Sequence, residues 1–441
     1  MRDVLLLLFL VPALAATLRY PFVGVLAWAW FSLMTPHQMA YGVFGLQLNL
    51  LIAAVTLVSI ALSGAFRHFR FDGMTGLFLA FAACIGVSQI FSLSPDASFR
   101  YFDQFLKTLL FAVVCIQLAT DRLKFHALLW MLVIGVGYFA IKGGLFTLVT
   151  FGQYRVQGLP NTILEDNNHL GTALATVLPL VLYLRTQASR AIVRHGLLAL
   201  FVLAVIAVLG THSRGAFVAL VVFAGFFWLR SRRKFLILGA LLLVLVPAVA
   251  FMPAKWTERM SSIGEATQDA SFMGRVDAWH INTELALAHP LTGAGLRNSY
   301  EKEIAATVDP VRAQSAKAAH SIYFEVLGGT GFIGLAVFLA ILATAAVTNR
   351  RLQKLKSDPS VDPWIAPFAY YAQISLAVFC VGGAAVSMEM WDGFYILIAL
   401  IAASARLSKI PVAAHAPAAA PQRRLWRLEA RGVARRAGGG T

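Results

Sequence analysis

The sequence predicts an all-α fold, a polytopic integral membrane protein with about 12 transmembrane helices and one large helical loop between two of them. Hydrophobic residues make up 59% of the chain and charged residues only 13%, whereas charged residues form about a quarter of an ordinary soluble protein. The mean hydropathy is +0.72, and many apolar runs are long enough to cross a hydrocarbon core about 30 Å thick. Because these runs do not alternate apolar with polar residues, we expect them to cross as helices.

The apolar runs follow one another closely up to residue 405, and a single long polar stretch interrupts them. The first run, residues 3–34, contains Arg19-Tyr20-Pro21, which either breaks it into two crossings or kinks one. With one crossing there, the number of helices is even and about 12 spans result. The runs lie at residues 3–34, 47–64, 74–93, 104–119, 125–150, 169–186, 191–210, 215–230, 235–252, 320–347, 364–387 and 391–405.

The distribution of basic residues predicts the orientation of these helices. The formal net charge is +16, which would also suit a nucleic-acid partner. The basic residues are concentrated in short connections, however, and every second connection is basic. Positively charged connections stay on the cytoplasmic side of a membrane, so topology explains the charge and we predict no nucleic-acid partner. The basic connections are residues 67–70, 121–124, 185–194, 230–234 and 350–354.

The remaining connections are then extracytoplasmic, and one of them is much longer than the rest. It covers residues 253–319 and lies within a transmembrane domain that we assign to residues 1–406. Residues 407–441, rich in Ala, Pro, Arg and Gly, are predicted to be a basic, disordered cytoplasmic tail that is attracted to anionic lipids. The extracytoplasmic connections are residues 35–45, 92–103, 152–168, 211–214, 252–319 and 387–392.

His320 is the first candidate for chemistry, because it stands where the long loop re-enters an apolar helix. An imidazole titrates near neutral pH, and at a wet membrane interface it could act as a general base on an acceptor hydroxyl. The alternative is a histidine that only caps or packs the helix start. Tyr323 lies three residues further on the same helical face. Four small residues then form a surface that another helix can approach closely: Gly328, Gly329, Gly331 and Gly334.

Two arginines are expected on the same side as His320. Arg214 opens an apolar run at its outer end, against the positive-inside bias. Its planar donors match phosphate oxygens, although the side chain could instead extend to the outer lipid headgroups. Arg275 lies in the loop, four residues before Trp279 and on the same face of an amphipathic helix. Its alternative is a surface ion pair with Asp277, which would contribute little.

The connection before residue 169 is dense in polar and turn-forming residues. Asp166 to Asn168 directly precede an apolar helix, so N-capping is their main expected role. Arg155 could add a third guanidinium near the same surface, and Asn161 lies in the same stretch. The sequence contains no set of residues spaced for binding a metal, so we predict no metal and no cofactor.

With this topology, the chain resembles the O-antigen ligase and polymerase superfamily. That family has many transmembrane spans and a single large periplasmic loop, and the resemblance covers essentially the whole chain before Ser408. Residues 166–169 and 1–3 are similar, within it, to exosortase-associated O-glycosylation ligases. Three motifs carry the resemblance: Ser213-Arg214-Gly215-Ala216, Gly274-Arg275…Trp279, and His320-Ser321…Tyr323…Gly331…Gly334.

The resemblance implies a metal-independent, inverting glycosyltransferase of lipopolysaccharide biosynthesis in the bacterial inner membrane. The donor would be a glycan linked to undecaprenyl pyrophosphate, and the acceptor a hydroxyl of the lipid A core, with the reaction at the periplasmic face. His320 would be the general base, while Arg214 and Arg275 would bind the pyrophosphate. Substrate contacts are further expected from Arg155, Asn161, Asn168, Trp279 and Tyr323.

Three other functions stay open at this point. An O-antigen polymerase would use another lipid-linked repeat as its acceptor, and a protein O-oligosaccharyltransferase would use Ser or Thr. These differ from the ligase only in how the acceptor is docked. A secondary transporter would also explain the many helices, but it predicts inverted repeats and broken helices near the bilayer midplane. No repeat is evident, and the notable polar residues cluster at one surface, so a transporter is the less favoured hypothesis.

Overall fold

The computed structural model of the protein describes residues 2–40, 42–43, 45–230, 234–235, 239, 243, 246, 249–261, 270–315 and 317–409. This part is helical and contains no β-strand, which confirms the predicted all-α class. Numbered along the described chain, the helices are α1 Arg2–Arg19, α2 Pro21–Met34, α3 Leu48–Leu62, α4 Gly73–Ile90, α5 Pro95–Leu118, α6 Arg122–Val149, α7 Asn167–Gln187, α8 Ala191–Gly210, α9 Arg214–Arg230, α10 Ala254–Ser261, α11 Ala270–Ala288, α12 Lys302–Val308, α13 Ile322–Lys354, α14 Ile365–Gly383 and α15 Asp392–Leu407.

Seven of the described helices are long and apolar enough to cross a membrane: α4, α5, α6, α7, α8, α13 and α14. Helices α2, α3 and α9 are apolar but shorter. The protein is therefore a multi-pass membrane protein, while the total of about 12 crossings remains a prediction. The predicted run at 235–252 and the predicted tail at 407–441 lie mostly outside the described residues, and the domain division also stays a prediction.

The N-terminal apolar run forms two antiparallel helices. Helix α1 ends at Arg19 and α2 begins with Pro21 at its first position, where a missing N–H does no harm to the helix. The rings of Phe9 and Trp30 lie 6.5 Å apart, which places the middle of α1 beside the C-terminal half of α2. The run is thus broken before Pro21, while the number of crossings made by residues 3–34 stays a prediction.

Aspartate side chains begin three of the long helices. Asp72 accepts a hydrogen bond from the Thr75 N–H at the start of α4, and Asp121 accepts one from the Lys124 N–H at the start of α6. Asp166 accepts from two backbone N–H groups of α7. Each carboxylate satisfies donors that the first helical turn leaves unpaired. The predicted N-cap before residue 169 is thus confirmed.

The two predicted sets of connections lie at opposite ends of the helix bundle. At one end, the Val156 N–H donates to the Gly210 carbonyl over 2.8 Å, and the Leu93 N–H donates to the Ala294 carbonyl over 2.9 Å. At the other end, Arg406 pairs with Asp72. The first end gathers the loop and the candidate residues, whereas the second gathers the described basic connections.

Helix α13 is interrupted at Gly331, where the long loop docks. Gly331 has φ of 69°, a conformation that residues with a β-carbon rarely adopt. The loop uses the exposed backbone: the Phe332 N–H donates to the Pro290 carbonyl, and the Ala294 N–H donates to the Gly328 carbonyl, both over 2.9 Å. These bonds attach the middle of the loop to the first turns of α13, the helix that begins two residues after His320.

The glycine surface of α13 is occupied by two different neighbours. Helix α11 approaches Gly328 so closely that an added β-carbon would lie 2.0 Å from the Asn282 Oδ1. Close approach of a helix is thereby confirmed at Gly328. At Gly329 the neighbour is instead Leu296 of the loop, at Gly331 it is the loop backbone, and Gly334 faces Thr330 of its own helix.

Candidate functional site

His320 lies two residues before α13, in a conformation that favours glycine. Its φ is 47°, and its Nδ1 is buried without a hydrogen-bond partner in the described structure. Burial lowers the pKa of His320 to about 4, and the positive charges of Arg275 and then of His169 act in the same direction. The imidazole is therefore neutral at pH 7, the state in which it can accept a proton.

Arg275 reaches this histidine because helix α11 is fixed against the start of α13. The Trp279 Nε1–H donates to the Ala319 carbonyl over 2.8 Å, and the Trp279 ring stacks on Phe324 with centroids 5.1 Å apart. One helical turn separates Arg275 from Trp279, so the same contact sets the position of the guanidinium. The structure thus brings together two of the three residues predicted for chemistry.

Arg214 lies at the same end of the bundle, at the first position of α9. The Ser213 Oγ accepts the Ala216 N–H over 3.2 Å and begins the helix, and an added β-carbon at Gly215 would lie 2.9 Å from the Ala385 Cβ. Arg214 is not among the groups whose charge most affects His320. Its position at a helix N-terminus nevertheless combines a guanidinium with backbone amides, which suits an anion.

Residues 166–169 border His320 from the start of α7. His169 and Asp166 are both among the charges that act on the imidazole. The His169 Nδ1 lies 2.8 Å from the Ile163 carbonyl oxygen, so its ring is held by the preceding connection. Asn168 contributes its N–H to the Asp166 cap. The bundle end therefore places two histidines and an aspartate around one point.

Three residues predicted to contact the substrate have no described contact with His320. Arg155 is exposed beside the end of α8. Asn161 lines a separate cavity of about 650 Å³ between α2, α3 and α5, together with Gln38 and Asn49. The Tyr323 hydroxyl donates to the Cys380 carbonyl over 2.9 Å and so joins α13 to α14. None of the contacts described for these residues joins them to His320.

A buried ionic network next to His320 was not predicted from the sequence. The Arg297 Nη2 lies 3.1 Å from the Glu389 Oε1, and the guanidinium carbon lies 4.6 Å from the centre of the Tyr101 ring. Burial alone would lower the pKa of Arg297, but Glu389, Tyr300 and Glu325 together raise it above its ordinary value. The guanidinium is already neutralised by Glu389, so we do not assign Arg297 to substrate binding.

Glu325 is the second carboxylate of this network. Its Oε1 accepts hydrogen bonds from the Tyr300 hydroxyl over 2.6 Å, the Ser387 hydroxyl over 2.7 Å and the Ala319 N–H over 3.0 Å. Burial followed by the charge of Glu325 raises the pKa of Tyr300 well above its ordinary value, so that hydroxyl stays a donor. The one sequence signal was that Glu325 follows His320 by five residues; its partners are distant in the chain.

Within the described residues, no group of three or more His, Cys, Asp and Glu side chains is arranged to hold a metal ion. The candidate residues at this end of the bundle provide a neutral imidazole, two guanidiniums and helix N-termini. Such groups accept a proton from a hydroxyl and stabilise an anionic leaving group.

Two family models match parts of this chain. Residues 199–339 match the family model of O-antigen ligase, and this range contains all three motifs, including Arg214, Arg275 and His320. Residues 1–189 match a family of unknown function (DUF5935). No curated protein matches the chain.

Proposed function

We propose that this protein, whose residues 199–339 match the O-antigen ligase family model, transfers a glycan from undecaprenyl pyrophosphate to a hydroxyl of the lipid A core. The transfer takes place at the periplasmic face of the bacterial inner membrane. The observation that carries the proposal is the docking of α11 on the start of α13 through Trp279, which brings Arg275 close enough for its charge to act on His320.

In the proposed reaction, His320 takes the proton of the acceptor hydroxyl as its oxygen attacks the anomeric carbon of the donor sugar. The bond from that carbon to the pyrophosphate oxygen breaks, and undecaprenyl pyrophosphate leaves with the bonding electrons. Attack from the face opposite the leaving group inverts the anomeric configuration. Arg275 and Arg214 offset the charge that develops on the pyrophosphate, each contributing about 1.5–3 kcal/mol.

The low pKa of His320 fits this sequence of events. Without a donor, burial and the charge of Arg275 keep the imidazole a weak base. A bound pyrophosphate brings negative charge to Arg275 and so raises the pKa of His320. The base becomes stronger when the donor is in place, which limits proton transfer to the loaded enzyme.

Reconstitution with defined substrates tests this function. The purified protein in proteoliposomes is supplied with a lipid-linked glycan, a chelator and three acceptors: lipid A core, a second lipid-linked repeat, and a Ser/Thr peptide. We expect product on the lipid A core with an inverted linkage, determined by NMR. Product on the repeat or the peptide would instead identify a polymerase or a protein O-oligosaccharyltransferase of the same superfamily.

Two histidine variants on neighbouring segments separate chemistry from folding. His320→Ala should abolish transfer while the protein remains inserted and monodisperse. His280→Ala, which changes an exposed residue of α11, is the matched control and should transfer at the wild-type rate. Full transfer by His320→Ala would remove the base assignment.

A further inference from the structure

The backbone just before His320 is clamped by two side chains from different helices. The Ala319 N–H donates to the Glu325 Oε1 over 3.0 Å, and the Ala319 carbonyl accepts from the Trp279 Nε1–H over 2.8 Å. Ala319 is fully buried, so neither backbone group can turn to water instead. Both polar groups of the residue preceding the imidazole are thus fixed by the protein.

This clamp matters because His320 has an unfavourable backbone conformation. With φ of 47°, its β-carbon is crowded by its own backbone, and such conformations persist only where the surroundings hold them. No side chain holds the ring at Nδ1 in the described structure. The direction of the imidazole therefore depends on the backbone of residues 319–321, and that backbone depends on Glu325 and Trp279.

Glu325 is also held in place by residues from two other segments. Tyr300 from the long loop and Ser387 from the α14–α15 connection both donate to the same oxygen that accepts from Ala319. The side chain is 3% exposed and lies in the first turn of α13, where the helix dipole favours a carboxylate. The Arg297–Glu389 pair fixes the same two segments relative to one another.

From these contacts we propose that Glu325 is a positioning residue, which holds the Ala319 N–H and thereby aims His320 at the acceptor. Trp279 holds the opposite side of the same residue and keeps Arg275 in register with it. Neither side chain touches the reacting atoms. The expected effect on glycan transfer rests on the proposed function. The expected effect on the orientation of His320 does not.

Two substitutions at Glu325 separate hydrogen bonding from bulk. Glu325→Gln keeps an oxygen that can accept from Ala319, Tyr300 and Ser387. Glu325→Leu keeps the volume but leaves three buried donors unpaired. Glu303→Leu, at an exposed carboxylate of α12, is the control for loss of a negative charge in the loop.

The direct readout is the rate at which diethyl pyrocarbonate modifies His320 in the full-length protein, followed by peptide mass spectrometry at pH 7. Loss of these hydrogen bonds should loosen the turn and expose the imidazole. We therefore expect Glu325→Leu to increase the modification rate by about tenfold, the factor that corresponds to the free energy of one buried hydrogen bond. Glu325→Gln and Glu303→Leu should stay within about threefold of wild type. An unchanged rate in Glu325→Leu would overturn the proposal.

The second readout is transfer kinetics with the lipid-linked donor. Glu325→Leu should lower kcat by at least about tenfold with little change in the donor KM, and the Gln variant should restore most of kcat. An equal loss in the Gln and Leu variants would also overturn positioning. If the wild-type protein transfers no glycan to any acceptor, the proposed function fails, but the modification rates still decide whether Glu325 orients the histidine.

If Glu325→Leu does not fold, a milder change decides the question. Trp279→Phe removes the Nε1–H donor to Ala319 and keeps an aromatic ring that can stack on Phe324. It should alter the modification rate of His320 and lower kcat in the same direction. Wild-type behaviour in both measurements would contradict the clamp.

Discussion

Arg297 and Glu389 form a buried ion pair between residues 92 positions apart, with 3.1 Å between Nη2 and Oε1. The pair joins the long loop to the connection between α14 and α15, next to the segment that carries Ser387. Through Ser387 and Tyr300 it borders Glu325 and the turn of His320. The end of the bundle that holds the candidate residues is thereby cross-linked by charge as well as by packing.

Arg297→Met should strongly destabilise the protein. It leaves Glu389, which is 1% exposed, as a buried charge without its partner, a change that costs about 3–5 kcal/mol. The loss is measurable as a lower free energy of unfolding in mixed detergent micelles. Arg312→Met breaks partly exposed pairs with Asp309 and Asp277 and should lower the free energy of unfolding much less, because water screens these charges. Equal effects of the two substitutions would contradict a stabilising role for Arg297.

Transfer should persist to unusually low pH for a reaction that needs a neutral histidine. Because the pKa of His320 is lowered from 6.5 to about 4, kcat/KM should stay level from about pH 8 to about pH 5 and fall below that. The unfolded chain binds this proton more readily between pH 6.5 and 4, so the folding stability should decrease as pH falls through that window. If the kcat/KM profile instead shows an apparent pKa near 6.5, the ordinary value for histidine, the imidazole of His320 is not buried in the enzyme without substrate.

Arg275→Gln should raise the pKa of His320, since the guanidinium is the largest charge effect after burial. The pH dependence of diethyl pyrocarbonate modification at His320 measures this shift without the need for transfer. Arg312→Gln, also in the long loop, is the control and should leave the titration unchanged. If the pKa of His320 is the same in Arg275→Gln and in the wild type, Arg275 does not lie close enough to His320 to affect it.

Arg214→Lys should lower kcat/KM by about 10–100-fold, because an ammonium cannot reproduce the two parallel hydrogen bonds of a guanidinium to phosphate. The position at the first turn of α9 is unchanged by the substitution, so folding should be preserved. Initial rates with the lipid-linked donor test it, with Arg312→Lys as the control. Full activity would indicate an arginine that only extends to the lipid headgroups.

Gly331→Ala should destabilise the docking of the loop on α13. The substituted residue would have to keep a φ of 69°, and its β-carbon would lie 2.6 Å from the Pro290 carbonyl oxygen. The expected cost is about 1–3 kcal/mol. Gly196→Ala in α8, where nothing lies within 4 Å of the added carbon, should be neutral or slightly stabilising. Thermal unfolding of the two variants side by side provides the comparison.

Local features of the sequence predicted most of the helices and the end at which the candidate residues lie. Hydropathy is a sum over neighbouring residues, and a helix satisfies its backbone within one segment, so apolar runs are sufficient to predict the spans. The break before Pro21 was one of two alternatives, and the contact of Phe9 with Trp30 decided it. The N-cap at Asp166 is likewise a local pattern, and it was predicted correctly.

The motifs also predicted that His320 and Arg275 would meet, but they did not predict what holds them. Glu325 follows His320 by five residues, but its role depends on partners that are distant in the chain, and no sequence pattern indicated Arg297 or Glu389. Asn161 and Tyr323, expected at the substrate, line a separate cavity and join two helices, respectively. A residue type indicates which chemistry is available. Which partner binds its hydroxyl or neutralises its charge depends on the tertiary structure.

The amino-acid sequence by itself determined that this chain forms helices in a membrane, which connections share a side, and that an imidazole and two arginines lie on that side. Only the tertiary structure decided that Glu325 and Trp279 hold the residue before His320, and that the loop docks where α13 is interrupted at Gly331. The physical reason is the distance along the chain over which each interaction acts. Hydropathy and connection charge act over one helix at a time, while hydrogen bonds and ion pairs depend on which distant segments the packing brings within about 3 Å.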